Sequence, residues 1–213
     1  MHPLGAWGAR SFSFAERSHF YIIGYILKHV VQNLTNAIII LLEKEDLHAR
    51  ALADQLKANH ITIGRKLMDL RKGNIVDFRR NGKNKVFFLK RTMEGRNAAM
   101  MAEIYRQSLI LALYPVLRGI FRNIQRMPDI TLSILFGSYA KGLAKSGSDI
   151  DIFIETMDNN LKKRVETFHS ALSVKIGPFD RNSPLIREIM KDHVIIKGFE
   201  AYFDKTGFLE KAQ

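Results

Sequence analysis

Residues 134–156 read ILFGSYAKGLAKSGSDIDIFIET, and this stretch limits the chain's options for folding more than any other. Its second half reads as a strand, apolar at almost every position except Asp149 and Asp151. A buried carboxylate without a partner costs several kcal/mol or simply takes up a proton. Two residues apart on a strand, both side chains point to one face, so their oxygens converge on one small space. Carboxylates that close repel and raise each other's pKa. A divalent cation reverses that logic, since magnesium takes oxygen ligands and commonly uses one or two carboxylates plus substrate phosphates. The positive charge expected against this pair is a metal ion, Mg2+ or Mn2+, held by Asp149 and Asp151.

Upstream, the apolar strand expected over 130–136 ends in Gly137-Ser138, and a short helix is expected over 139–146. Glycine lets backbone approach a ligand closely. Amides at a helix start, together with the Ser138 hydroxyl, suit phosphate oxygens. Ten residues, 139–148, separate Ser138 from Asp149, enough for one short helix and a turn that set a phosphate cradle beside the carboxylates. Lys141 and Lys145 are candidates to screen phosphate charge, with plain solvation as the alternative for each.

Composition narrows the partners. The 213 residues are 46% hydrophobic and 25% charged, an ordinary globular mixture. Without cysteine, disulfides and thiolate metal sites are excluded, which suits a reducing cytosol. The seven histidines show no HExxH or HxxxH pairing. The formal charge of +12 points to nucleic acid, nucleotide phosphates or an anionic surface. Its excess is concentrated in residues 28–96, which carry 15 Lys/Arg against 7 Asp/Glu, whereas residues 97–213 carry 16 against 13. No transmembrane span is expected: the best apolar run, HFYIIGYILKHVVQ, is interrupted by Gly24, Lys28 and His29. A cytoplasmic protein is the expectation. The first 18 residues show no clear period and are expected to form a poorly ordered extension.

From Leu34 to Leu89 the pattern is helix, helix, helix, hairpin. LTNAIIILLEKED is almost wholly apolar; helices are also expected over 47–60 and from Thr62, the latter with Ile63, Leu67 and Leu70 at helical spacing and Gly73 as its cap. Asn81-Gly82 between IVDFRR and KVFFLKR signals a hairpin. This is the order of a winged helix-turn-helix, expected over 19–93. The third helix would present Thr62, Arg65, Lys66 and Lys72, and the hairpin Arg79, Arg80, Lys83 and Lys85, a surface suited to DNA. The alternative is a protein-docking module with solvated lysines. A helical connector is expected over 94–126, broken or restarted at Pro115, with Met100 and Met101 filling gaps in the core and a homodimer surface as an option. Beyond it, 127–213 reads as strand, helix, strand, helix (Leu161, Val165, Phe168 and Leu172 inward), strand, helix, strand, with Ser183 and Pro184 opening the last helix. The fold class is α/β (α+β), in two domains with a small mixed sheet in the second.

Gly137-Ser138, ten residues, then Asp149-Ile150-Asp151 resembles the signature of the nucleotidyltransferase superfamily typified by DNA polymerase beta, in its minimal archaeal and bacterial form. The resemblance implies transfer of a nucleoside monophosphate from a triphosphate, with ATP the expected donor, to an acceptor hydroxyl. It implies catalytic roles for Asp149, Asp151 and Ser138, metal binding by the two aspartates, and nucleotide binding by Gly137 and Ser138. The family usually adds a third carboxylate on the next strand, where Lys175 stands here; Asp180, Glu155 and Glu166 are substitutes to examine. That departure supports an alternative reading: a DNA-binding regulator with a degenerate nucleotidyltransferase domain, or the antitoxin of a toxin–antitoxin pair with a small helical partner.

Overall fold

The computed structural model describes residues 33–210. The terminal extension expected over 1–18, and the apolar run that follows it, lie outside the described residues.

The first half begins with α1 (Leu34–Lys44), whose residues Ala37 to Leu42 are all buried. A helix can be that apolar only when packed on most sides. Next come β1 (Leu47–His48), α2 (Ala49–Gln55) and α3 (His60–Lys72). The helix expected over 47–60 is therefore too long at both ends. His48 caps α2 through its ring, and Lys57 takes the left-handed conformation (φ 47°), turning the chain sharply into α3. Asn59 caps α3 by accepting from the Ile61 amide at 2.8 Å. Gly73 does not supply the left-handed residue at the other end, since its φ is −78°. Asn74 does (φ 60°), while the Ile75 amide donates back to Leu70 and the Asn74 amide to Arg71.

The hairpin consists of β2 (Val76–Asn81) and β3 (Asn84–Leu89), with β1 on the other edge of β3. Its loop is Gly82-Lys83, and Gly82 provides the positive φ (58°) that a two-residue hairpin turn requires. Helix α4 (Met93–Leu113) follows, then α5 (Leu117–Arg126), with the break at Pro115. Met100 packs against the core, but Met101 is 56% exposed, contrary to its expected core role. It shares an outward stripe of α4 with Ile104, which is also exposed.

The second half is built on a four-stranded mixed sheet of order β6-β5-β4-β7. Its strands are β4 (Ser133–Phe136), β5 (Ile150–Glu155), β6 (Leu172–Gly177) and β7 (Val194–Lys197). β4 runs antiparallel to β5 and β7, and β6 runs parallel to β5. Between them lie α6 (Gly137–Ala140), α7 (Asn159–Glu166) and α8 (Pro184–Lys191), and α9 (Phe199–Lys205) follows β7. The helices expected over 139–146 and 159–172 are both shorter: 141–148 is turn, and Leu172 opens β6. Ser183 caps α8 as expected, accepting from the Ile186 amide at 3.2 Å.

Period-two alternation divides the sheet. Ile150, Ile152 and Ile154 point to one face and join α5 and α7 in a core of their own. Ile134, Phe136 and Phe153 point to the other, into a core that continues through α4 and α9 to α1 and the hairpin. Among the described residues no helix is long and apolar enough to cross a membrane.

Candidate active site

β4, a central strand, delivers the chain to Gly137 at its end, and β5 pairs with it antiparallel, with Phe136 opposite Asp151 in register. Gly137 holds a positive φ of 69°. A Cβ added there would stand 2.4 Å from Asp151 Oδ2. Only glycine leaves room for that carboxylate against the backbone, so Gly137 and Asp151 are one steric unit.

Asp149 lies one residue before β5 and is exposed; Asp151 is half-buried on the sheet. Burial pushes the Asp151 carboxyl above its ordinary value, the Ser173 hydroxyl beside it pulls it back, and the Asp149 charge raises it again. The two aspartates thus share one field on one side of the strand. The charge of Lys175 lowers Asp151 and that of Glu188 raises it. Ser173, not Lys175, stands opposite Asp151 in register; Lys175 lies one step along the same face, opposite Phe153.

Ser138 sits half-buried in the single turn of α6, its carbonyl accepting from the Leu143 amide at 2.9 Å. The following loop is anchored by the Ala144 amide, which donates to the Tyr114 hydroxyl at the end of α4 at 3.2 Å. Lys141, with side-chain exposure of 26%, lies 3.9 Å from Glu188, while Lys145 is exposed. Gly137, Ser138, Lys141, Asp149 and Asp151 therefore gather at one end of β4 and β5, and Lys145 lies at the loop's outer side.

The three carboxylates considered as a third acid are engaged elsewhere. Glu155 accepts from the Phe179 amide and pairs with Lys205 at 2.9 Å; Asp180 caps the Asn182 amide; Glu166 pairs with Lys162 along α7. Glu188 on α8 is an acid whose charge reaches Asp151, and it is not legible from sequence because an exposed glutamate on an amphipathic helix looks solvated. Among the described residues no group of three or more acids or histidines is arranged to hold a metal. The donor set fits one divalent ion bound by Asp149 and Asp151 and completed by phosphate oxygens. Glu188, a third carboxylate whose charge reaches Asp151, lies 3.9 Å from Lys141.

The polar and basic candidates of the first half are all exposed: Thr62, Arg65, Lys66 and Lys72 on α3, and Arg79, Arg80, Lys83 and Lys85 on the hairpin. Two are partly committed within the protein. Arg79 pairs with Asp46 and lies over the Phe88 ring, and the Lys85 ammonium sits 4.4 Å from the Phe78 ring centre. Arg80 and Lys85 are paired in register at the hairpin tip.

No curated protein matches the chain. Residues 117–198, running from the start of α5 to just past β7 and containing Gly137, Ser138, Asp149 and Asp151, match the family model of the nucleotidyltransferase domain.

Proposed function

We propose that residues 117–198 form a nucleotidyltransferase that moves a nucleoside monophosphate from a triphosphate to an acceptor hydroxyl. The observation that carries this reading is the fit of the Asp151 carboxylate against Gly137, a space that a single Cβ would fill. In this reading Asp149 and Asp151 hold Mg2+ or Mn2+, which supplies neutralisation of the triphosphate charge when bound. Gly137 and Ser138 present backbone and hydroxyl to the phosphates, and Lys141 faces them from the loop. The acceptor oxygen bonds to the α-phosphorus as the bond to pyrophosphate breaks, and the acceptor's proton leaves with a base. Positioning is the protein's main contribution to such chemistry.

The test is label transfer from an α-labelled triphosphate. Asp149→Asn and Asp151→Asn should each lower it by about a hundredfold or more, the scale of lost transition-state charge stabilisation. Nucleotide binding by the wild type without transfer to any protein, RNA or small-alcohol hydroxyl would overturn the assignment.

A second reading concerns residues 34–89, whose helices and hairpin we interpret as a winged helix-turn-helix for DNA. The exposure of all eight polar and basic candidates favours it. Duplex binding should weaken by about 0.9 log unit per decade of salt for each phosphate neutralised. Charge reversal at Arg65 and Lys72 should remove it, while Asp149→Asn should not. If only this activity is found, the regulator or antitoxin reading replaces the enzyme.

A further inference from the structure

A second recess lies away from Gly137 and Asp151. The end of α1, the middle of α4, the α8–β7 corner and α9 enclose a cavity of about 470 Å³, within the usual range of small-molecule sites. Its inner wall is polar and incompletely paired. Glu103 is 1% exposed, yet neither of its carboxylate oxygens has a hydrogen-bond partner; Arg106 Nη2 and His193 Nε2 are likewise buried without one. Leaving such groups unmet costs more than their removal would.

Charge shows what is missing. Arg106 Nη1 stands 3.2 Å from Glu103 Oε1 and also donates to the His193 carbonyl at 3.3 Å, while Nη2 is 3.9 Å from Glu43 Oε2. One guanidinium therefore serves two carboxylates that come from different helices. Of the other cations lining the cavity, Lys44 pairs with Asp192 at 2.7 Å, the Arg91 guanidinium sits 4.4 Å from the Phe208 ring centre, and Lys191 is exposed. Aromatic rings, with Met190 and Thr206, line the far side, and Tyr202 packs 4.6 Å from the His193 ring.

We propose that this cavity binds a small organic monocation, an amine or amidine on an apolar body, with its N–H groups on Glu103 and its body against Tyr202 and Phe208. Carboxylates beside aromatic faces are the chemistry that recognises such a cation. The ionisation of the wall agrees. Burial, then the Glu103 charge, hold the Glu43 carboxyl well above its ordinary value, while burial keeps His193 neutral, with a pKa of about 4. Around Glu43 stand Glu103 and Arg106 on α4, Lys44 on its own helix, Arg91 before α4, and Asp192 and His193 at the α8–β7 corner. The Glu103 charge is part of what raises Glu43, so a cation seated on Glu103 favours the ionised form of Glu43 and releases a proton from it.

Calorimetry of the full chain with benzamidine, in two buffers of different ionisation enthalpy, tests this. Benzamidine should bind with release of a proton, and benzoate should not bind. Glu103→Gln should weaken benzamidine by at least about tenfold, the loss from one buried charge-assisted hydrogen bond. Glu43→Gln should still bind but release no proton. Absence of benzamidine binding, equal or tighter benzoate binding, or unchanged affinity in Glu103→Gln overturns the proposal. Should Glu103→Gln fail to fold, the proton count decides, and release that persists in Glu43→Gln is a negative result.

Discussion

The two faces of the four-stranded sheet lead to different ends. On one, Leu135, Ile150, Ile152, Ile154 and Val174 meet α5, α7 and the last turn of α4. On the other, Ile134, Phe136 and Phe153 share their strands with Asp151, Ser173 and Lys175 and pack into a core that reaches α1. A closed face gives stability to the sheet. An open one gives up uniform apolarity, and what it gains is a place for carboxylates and a joint to the rest of the molecule.

The sharpest way to break this contrast is to cut into the closed face. Ile152→Ala removes a fully buried side chain and should cost about 2–5 kcal/mol in denaturant unfolding. It should leave nucleotide affinity unchanged while the protein remains folded. A similar loss from Phe153→Ala, together with a weakened joint between the halves, would be seen as two separated melting steps in place of one.

The next effect belongs to the joint itself. The pKa of His193 is about 4, below the ordinary 6.5, so the unfolded chain binds a proton that the folded chain refuses. This contribution to stability is complete above pH 6.5 and is lost as pH falls toward 4, by about 3 kcal/mol at 1.36 kcal/mol per unit. Glu43 works in the opposite direction, since its raised carboxyl takes up its proton in the folded state first. Subtracting the pH profile of His193→Gln from that of the wild type isolates the histidine. A flat difference between pH 6.5 and 4 would show that the imidazole is solvated.

On the open face, Gly137→Ala should cost about 1–3 kcal/mol for a strained left-handed residue. Its added Cβ should also push Asp151 aside and reduce nucleotide binding. Wild-type affinity in Gly137→Ala would mean that the carboxylate position is immaterial. The smallest effect is expected far from both faces: Lys83→Ala at the hairpin tip should move stability by no more than about 0.5 kcal/mol, and any loss should appear only in salt-sensitive DNA binding.

Local chemistry was legible in the sequence. Asn-Gly marked the hairpin, Pro115 the break between α4 and α5, and Ser183-Pro184 the start of α8, because each acts through its immediate neighbours. The Gly137-Ser138 and Asp149-Asp151 pairs were legible for the same reason: strand parity and a short return connect them. Elements decided by distant partners were not. β1 exists only because β3 offers an edge, and α2 stops early because Lys57 accepts a conformation usually left to glycine or asparagine. Glu188, Glu103 and His193 gave no signal either, since their surroundings come from helices and strands far along the chain.

Helix α4 has a practical consequence for anyone dissecting the protein. Ala98, Ala99 and Ala102 let α1 approach it closely, and Gln107 donates to the carbonyls of Ile195 and Ile196 on β7. Scissors placed on either side of this rod leave it stranded: a fragment starting after it bares Ile134, Phe136 and Phe153 to water, and one ending before it strips the back of α1. Point substitutions in the whole chain, not halves expressed apart, are the way to assign its activities.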